Sequence, residues 1–418
     1  IAGNDDAFNA FINYHGIARV EIFETLIEIP NLFKNKKKPE SKRVGIVTTT
    51  GGGGAMVVES LSGNDIEIVD PGLSIKKIMQ ENNIAFNNNK LVDLTIAGTK
   101  PEIVNEVISQ MMKNKNCDLV VMVVGSSAKF RPEQAVEPLL KWANYPKPLA
   151  VYVAPDAPEA LTLLHKNNIA CFRTPESCAE SVKTFLNTKN PVKQKILKND
   201  LSNISKKLKK NISKNLSEEE ALEIFKDIGI QIVDYKVSFN EKQSIEHSSQ
   251  IGFPLAMKVL SNKILHKTET GGVELNIKNL EELKTSFQKL SDVFQKLKMK
   301  SSDEKFLIQK MEKGIAEIIL GYRVDELVGP IVVLGSGGIL SEIYNDKSIR
   351  MAPVDITEAK KMINEVKSLV TITGYRGLPE ADINIIANAV VNMSKFAFVK
   401  EIKEAEINPV IVKKENEG

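Results

Sequence analysis

The run LVVMVV at 119–124, bounded by Asp118 and Gly125, constrains this chain more than any other stretch. It shows no alternation of apolar and polar residues and is far too short to cross a bilayer. A strand of this kind must be buried on both faces, which calls for a parallel sheet with helices on either side. Further strands are expected in KRVGIV, IEIVD (66–70), KPLAVYVAP (147–155) and NIACF (168–172). Helical patterns such as PEIVNEVISQMMK and APEALTLLHKN separate most of them. The order predicts a doubly wound α/β layer of about 150 residues. It carries no GxGxxG fingerprint.

At 418 residues the chain exceeds one hydrophobic core, so several domains are expected. A net charge of +3 and the lack of an arginine-rich stripe argue against nucleic acid as a partner. No segment resembles a signal peptide or an apolar 18-mer, so no membrane partner and a cytoplasmic location are expected. Cys117, Cys171 and Cys178 lack metal-site or CxxC spacing, which fits a reducing compartment. The clearest boundary is 190–215, where eight lysines face one aspartate, the composition of a linker or a lysine-rich surface helix. The opening IAGNDDAFNAF reads as the end of a glycine turn running into a helix, so the chain is expected to be part of something longer.

TTTGGGG at 48–54 precedes the helical pattern AMVVESLSG. Two readings stand side by side. The glycines make a tight strand-to-helix crossing, or their backbone N–H groups meet a phosphate, CoA or a domain-interface group. The absence of GK[ST] excludes a Walker loop.

The second half, from a capping box expected at Ser217 and Glu220, is denser in candidate residues. Lys258 falls inside the apolar strand PLAMKVL, where an ammonium needs a partner, and a nucleotide phosphate is one. FLIQKMEKGIAEIILGYRVD (306–325) holds two strands and a polar crossing, with Gln309, Met311 and Glu317 as nucleotide-binding candidates; the backbone near Met311 suits an adenine edge. In GPIVVLGSGGILSEIYNDKSIRMAP (329–353), Gly337 and Gly338 allow close backbone approach to a ligand. Glu342, Asp346 and Arg350 recur every four residues, which on one strand puts them on a single face suited to Mg-triphosphate. In EAEINPVIV, Glu406 and Asn408 lie two apart on a strand and offer oxygen donors to Mg²⁺. His15, His165 and His247 read as structural. His266 differs, because HKTETGG is a polar, glycine-flanked turn soon after Lys258, and a neutral imidazole accepts phosphoryl groups near neutral pH.

Taken together, GFPLAMKVLSNKILHKTETGGVELNI, GPIVVLGSGGILSEIYNDKSIRMAP, TGYRGLPEADI and EINPVIV resemble the nucleoside-diphosphate-forming acyl-CoA synthetases, the ADP-forming acid–CoA ligases related to succinyl-CoA synthetase. IAGNDDAFNAFINYHGIARVEIFETL, RVGIVTTTGGGGAMVVESL and IACFRTPESCAESV look like the flavodoxin-type domains of the same family. The resemblance implies a remnant of a preceding domain at 1–38, a flavodoxin-like domain at 39–190, a linker at 191–215 and a two-lobed ATP-grasp domain at 216–418. It implies ATP/ADP, Mg²⁺ and CoA as cofactors, a small carboxylic acid as substrate and a homodimer as the assembly. His266, with Lys267, Gly271 and Gly272 around it, matches the second phosphohistidine turn of the fused members. Lys258 matches the phosphate-binding lysine, and Glu406 with Asn408 the metal pair. The first histidine and the CoA-binding domain would lie in a missing N-terminal part of the polypeptide, Ile1-Ala2-Gly3 resembling the AG just after that histidine. The lysine- and asparagine-rich composition resembles members from ammonia-oxidising archaea that activate 3-hydroxypropionate or 4-hydroxybutyrate. Two alternatives stand beside this reading: a CoA-dependent protein lysine acyltransferase relative with a regulatory ATP-grasp part, and an ATP-grasp ligase that needs no phosphohistidine.

Overall fold

In a computed structural model, residues 4–34, 36–63, 65–86, 90–193, 201–210, 215–261, 270–296, 304–337 and 345–417 are described. They fall into two compact units. One runs from His15 to Pro191. The other joins the chain through Tyr14 to the chain from Val192 onward. No helix among the described residues is long and apolar enough to cross a membrane.

The His15–Pro191 unit is built on a parallel sheet of β1 (Arg43–Thr48), β2 (Glu67–Ile68), β3 (Val92–Asp93), β4 (Leu119–Val124), β5 (Leu149–Val153) and β6 (Ala170–Phe172). Its order is β2-β1-β4-β5-β6, with β3 also paired to β1. Period-two alternation divides β4 between two cores: Val120, Met122 and Val124 face one, Leu119, Val121 and Val123 the other. Every residue of β4 is buried, as the unbroken apolar run requires. The helices Pro101–Lys113, Pro158–Lys166 and Pro175–Asn187 each begin at a proline, whose missing N–H costs nothing in the first helical turn. All three cysteines are unpaired, and burial pushes the Cys171 thiol up to about 11.

The other unit holds two antiparallel sheets. The first is β7 (Tyr235–Ser238), β8 (Leu255–Val259), β9 (Val273–Ile277) and β10 (Phe306–Lys310), in the order β7-β10-β8-β9. Its outer face buries Leu255, Met257, Val259, Phe306 and Ile308 against Leu283, Leu290 and Phe294 of the helix Leu280–Lys296. The second is β11 (Ala316–Asp325), β12 (Gly329–Ser336), β13 (Lys347–Met351) and β14 (Glu404–Val412), in the order β13-β12-β11-β14. Ile318, Leu320, Tyr322, Val332 and Leu334 form its core face, packed with residues of the helices Glu218–Asp227, Ile356–Glu365 and Ile383–Ser394. Phe396 anchors that core, its ring 5.9 Å from Tyr322 and 6.2 Å from Phe225.

Residues 1–38, which read together in sequence, divide at Tyr14. The helix Asp5–His15 lays Ala7 and Ala10 against Ile331, Ile349 and Met351, on the face of the second sheet opposite its main core. Alanines permit that close approach, and Asp6 pairs with Lys347 at 3.0 Å. The chain leaves this unit after Tyr14 and re-enters at Val192, whose N–H donates to the Tyr14 carbonyl at 2.9 Å. Within the lysine-rich boundary segment, Ser202–Lys210 is a surface helix with one apolar edge. Ile204 is buried in the second sheet's core, while Lys207 and Lys209 pair with Asp227 and Glu401. The lysines therefore solvate the outer side of a docked helix.

Candidate functional site

Register decides which side chains share a face. On the first sheet Lys258 stands opposite Leu307 and Ala256 opposite Gln309, so Lys258 and Gln309 project from the same inner face, away from the apolar core. Tyr235, opposite Gln309 on β7, joins them. Gln309 is buried, whereas the Lys258 side chain keeps 24% of its exposure. The Lys258 ammonium donates to Glu218 Oε1 at 2.6 Å. Glu218 opens the helix Glu218–Asp227, whose Ile224 and Phe225 belong to the second sheet's core, so this ion pair joins the two sheets. A second tie runs from the Tyr235 hydroxyl to Glu223 at 2.7 Å; burial and that carboxylate push the phenol pKa up.

The expected capping box is present. Ser217 Oγ accepts from the Glu220 N–H, and Glu220 accepts from the Ser217 N–H. Glu218, the partner of Lys258, is the residue of this face that sequence reading passes over. Its signal is the run of three glutamates at 218–220, one of which the cap consumes.

On the second sheet, Glu406 stands opposite Gly321, and Glu317 lies four residues before Gly321 on the same strand face. Between Ile318 and Leu320 the register slips, leaving Asn408 and Pro409 opposite the single residue Ile319. Glu406 and Asn408 are both exposed on the face away from the main core. Gly337 closes this corner: its N–H donates to the Glu317 carbonyl at 2.8 Å, and a Cβ there would lie 2.8 Å from Glu317 backbone atoms. Among the described residues no three His, Cys, Asp or Glu side chains gather as a metal cage. A carboxylate and an amide oxygen two apart still fit Mg²⁺, which takes one or two protein oxygens and fills its remaining positions with water and phosphate.

Two expected ligands are placed elsewhere. Arg350 pairs with Val332 across β12 and so projects from the helix-packed face, opposite to Glu317 and Glu406. Its guanidinium is engaged by Glu358 at 3.2 Å, Glu365 at 2.5 Å and Ser348. The four-residue spacing misleads because β13 begins only at Lys347. Asp346, just before that strand, caps the turn Lys367–Ile372 by accepting from the N–H groups of Lys367 and Ser368. Burial raises its pKa, but these donors outweigh burial and hold the carboxyl below its ordinary value. The Met311 N–H, a candidate for an adenine edge, donates to the Pro254 carbonyl at 3.0 Å. His266, Lys267, Gly338 and Glu342 lie outside the described residues. Arg350→Met is expected to destabilise the fold by about 2 kcal/mol, since it strands two carboxylates, yet to leave nucleotide affinity within about twofold of the parent. Thermal melting and ADP titration of the same samples check both halves.

In the His15–Pro191 unit the glycine-rich turn follows β1, where strand order reverses between β1 and β4. Three of its glycines have a packing task. An added Cβ would meet Asp93 Oδ2 at 2.6 Å from Gly51, Thr50 Cγ2 at 3.0 Å from Gly53 and Thr48 Cγ2 at 2.8 Å from Gly54. Gly52 has nothing within 4 Å. The tight-crossing reading therefore accounts for most of the motif.

The ATP-grasp domain family is matched over residues 207–417. The 4-hydroxybutyrate–CoA ligase (ADP-forming) of Nitrosopumilus maritimus is 26% identical over 430 residues, covering 100% of this chain and 62% of that protein. The beta subunit of acetate–CoA ligase (ADP-forming) I of Pyrococcus furiosus is 37% identical over 194 residues, covering 46% of this chain and 84% of that subunit. Among solved structures, the dinucleotide-forming acetyl-coenzyme A synthetase 1 of Ca. Korarchaeum cryptofilum, in complex with coenzyme A, Ca-AMPCP and HgCl+, is 30% identical. It covers 50% of this chain and 93% of that one, with a TM-score of 0.46. The chain thus spans less than two thirds of the first relative's length. With Lys258 and Gln309 on one sheet and Glu317, Glu406 and Asn408 on the next, the chain belongs to the ATP-grasp domain family, among the relatives of the ADP-forming acid–CoA ligases.

Proposed function

We propose that this chain supplies the nucleotide-handling part of an ADP-forming acid–CoA ligase. The observation that carries the reading is the 37% identity over 84% of an acetate–CoA ligase beta subunit. Lys258 and Gln309 bind the nucleotide from the first sheet, while Glu317 and the Gly337 turn border it on the second. Glu406 and Asn408 would hold Mg²⁺, which would supply charge neutralisation at the nucleotide phosphates. His266, assisted by Lys267, takes the γ-phosphoryl group from ATP and releases ADP. The phosphoryl passes to the carboxylate of a small acid, giving an acyl phosphate whose phosphate the CoA thiolate displaces. One cleft cannot orient the acyl carbonyl for two large anionic ligands at once, so a covalent carrier divides the work.

The 4-hydroxybutyrate ligase matched along the whole chain favours a short, hydroxylated acid as substrate. CoA recognition and the first phosphohistidine are assigned to the remaining part of the polypeptide, the homodimer is the assembly that the family resemblance implies, and three unpaired cysteines support a cytoplasmic setting. The test is to incubate the polypeptide carrying this chain with γ-labelled ATP and Mg²⁺, then add CoA with single acids. Acid-labile, base-stable label that discharges only with CoA plus one acid is the expected result. No protein-bound label would overturn the relay and turn attention to an acyl-phosphate ligase.

A further inference from the structure

Lys258 is held by a carboxylate other than the one that closes the cap of its helix. Ser217 and Glu220 complete the cap of Glu218–Asp227, yet Glu218 reaches across to the neighbouring sheet. Both side chains are about three-quarters buried, at 24% and 26% exposure. Between oppositely charged groups, 2.6 Å is a short, charge-assisted hydrogen bond. Lys258 is flanked in register by Leu307 and Val273, so the adjacent strands place apolar residues beside its stem.

We propose that Glu218 competes with nucleotide phosphate for the Lys258 ammonium, setting nucleotide affinity below what the lysine alone would give. The inference rests on Lys258 being a phosphate ligand, the reading given above. A phosphate oxygen arriving at Lys258 meets the Glu218 carboxylate within a few ångströms, and like charges in a partly desolvated site repel. The ammonium has three donors, so it either shares itself between the two anions or leaves Glu218. No covalent step is involved. In the absence of nucleotide the pair also helps tie the two sheets together, so nucleotide entry weakens one of the two ties between them.

Calorimetric titration of the 418-residue chain with Mg-ADP, at low and at physiological salt, separates the possibilities. Glu218→Gln is expected to bind Mg-ADP about 3–10-fold more tightly than the parent, with a smaller gain at higher salt. Lys258→Met is expected to bind at least about tenfold more weakly, and adding Glu218→Gln to it should change nothing beyond about twofold. Glu218→Asp, too short to keep the bond, should follow Glu218→Gln in direction and guards against a glutamine variant that fails to fold. If Lys258→Met weakens binding while Glu218→Gln leaves it unchanged or weaker, Glu218 is only a structural tie and the proposal is wrong. If Lys258→Met binds like the parent, the lysine is no phosphate ligand, and both the proposal and the placement of the nucleotide fall.

Discussion

Glutamine in place of Glu406 is expected to lower ATP-dependent turnover about 10²-fold, roughly 2.7 kcal/mol of transition-state stabilisation. Glu406 supplies the only full negative charge of the Glu406–Asn408 pair. The residue across from it on β11 is Gly321, which has no side chain to replace the lost oxygen. Glutamine keeps the shape and one oxygen, so the deficit should be one of metal affinity. The Mg²⁺ concentration giving half-maximal turnover should therefore rise, and added Mg²⁺ should restore part of the rate. Because Glu406 is exposed at a strand position, melting should stay close to that of the parent. A variant with full turnover and an unchanged Mg²⁺ requirement would remove Glu406 from the metal site.

Gly337→Val is expected to be the most damaging single change at the corner between β12 and β11. Any Cβ at position 337 falls 2.8 Å from the carbonyl carbon and oxygen of Glu317 and 3.0 Å from its Cβ. Two of these three atoms are backbone and cannot swing aside, and valine adds two methyl groups to the clash. The strand end must move, and with it the 2.8 Å bond between Gly337 N–H and the Glu317 carbonyl. A loss of about 2–3 kcal/mol is expected from the overpacking. Mg-ATP affinity should fall at least about tenfold, since Glu317 is displaced with its carbonyl. A thermal melt and a nucleotide titration read the two effects. A variant that melts normally and binds normally would show that the corner tolerates a side chain.

The parallel sheet was legible because its strands carry a signal that survives without context. A run such as 119–124 has one low-energy fate, and β4 takes it. The antiparallel half was harder, because short polar-flanked strands share their signal with turns. Lys258 stood out as a lysine inside an apolar strand, and its partner in the structure is the carboxylate of Glu218, forty residues earlier. Sequence can state that a buried charge needs a partner, but it cannot choose between a protein carboxylate and a ligand. Arg350 shows the same difficulty from the other side. Its spacing from Asp346 suggested a shared face, whereas strand β13 starts between them and turns Arg350 toward Glu358 and Glu365. Glu406 and Asn408 are two apart in sequence, but the bulge begins at Asn408 itself, an irregularity that period-two spacing does not announce. The docking of Asp5–His15 had no sequence signal at all: two alanines on a helix do not say which sheet they will meet.

The hydrogen bond between Val192 and Tyr14 gives the polypeptide the topology of a cassette. The thread goes out and comes back through a single doorway, so everything from His15 to Pro191 is an excursion whose ends are already joined. Splicing Tyr14 to Val192 through one or two residues would leave the unit built on the two antiparallel sheets as one uninterrupted chain, at little cost in loop-closure entropy.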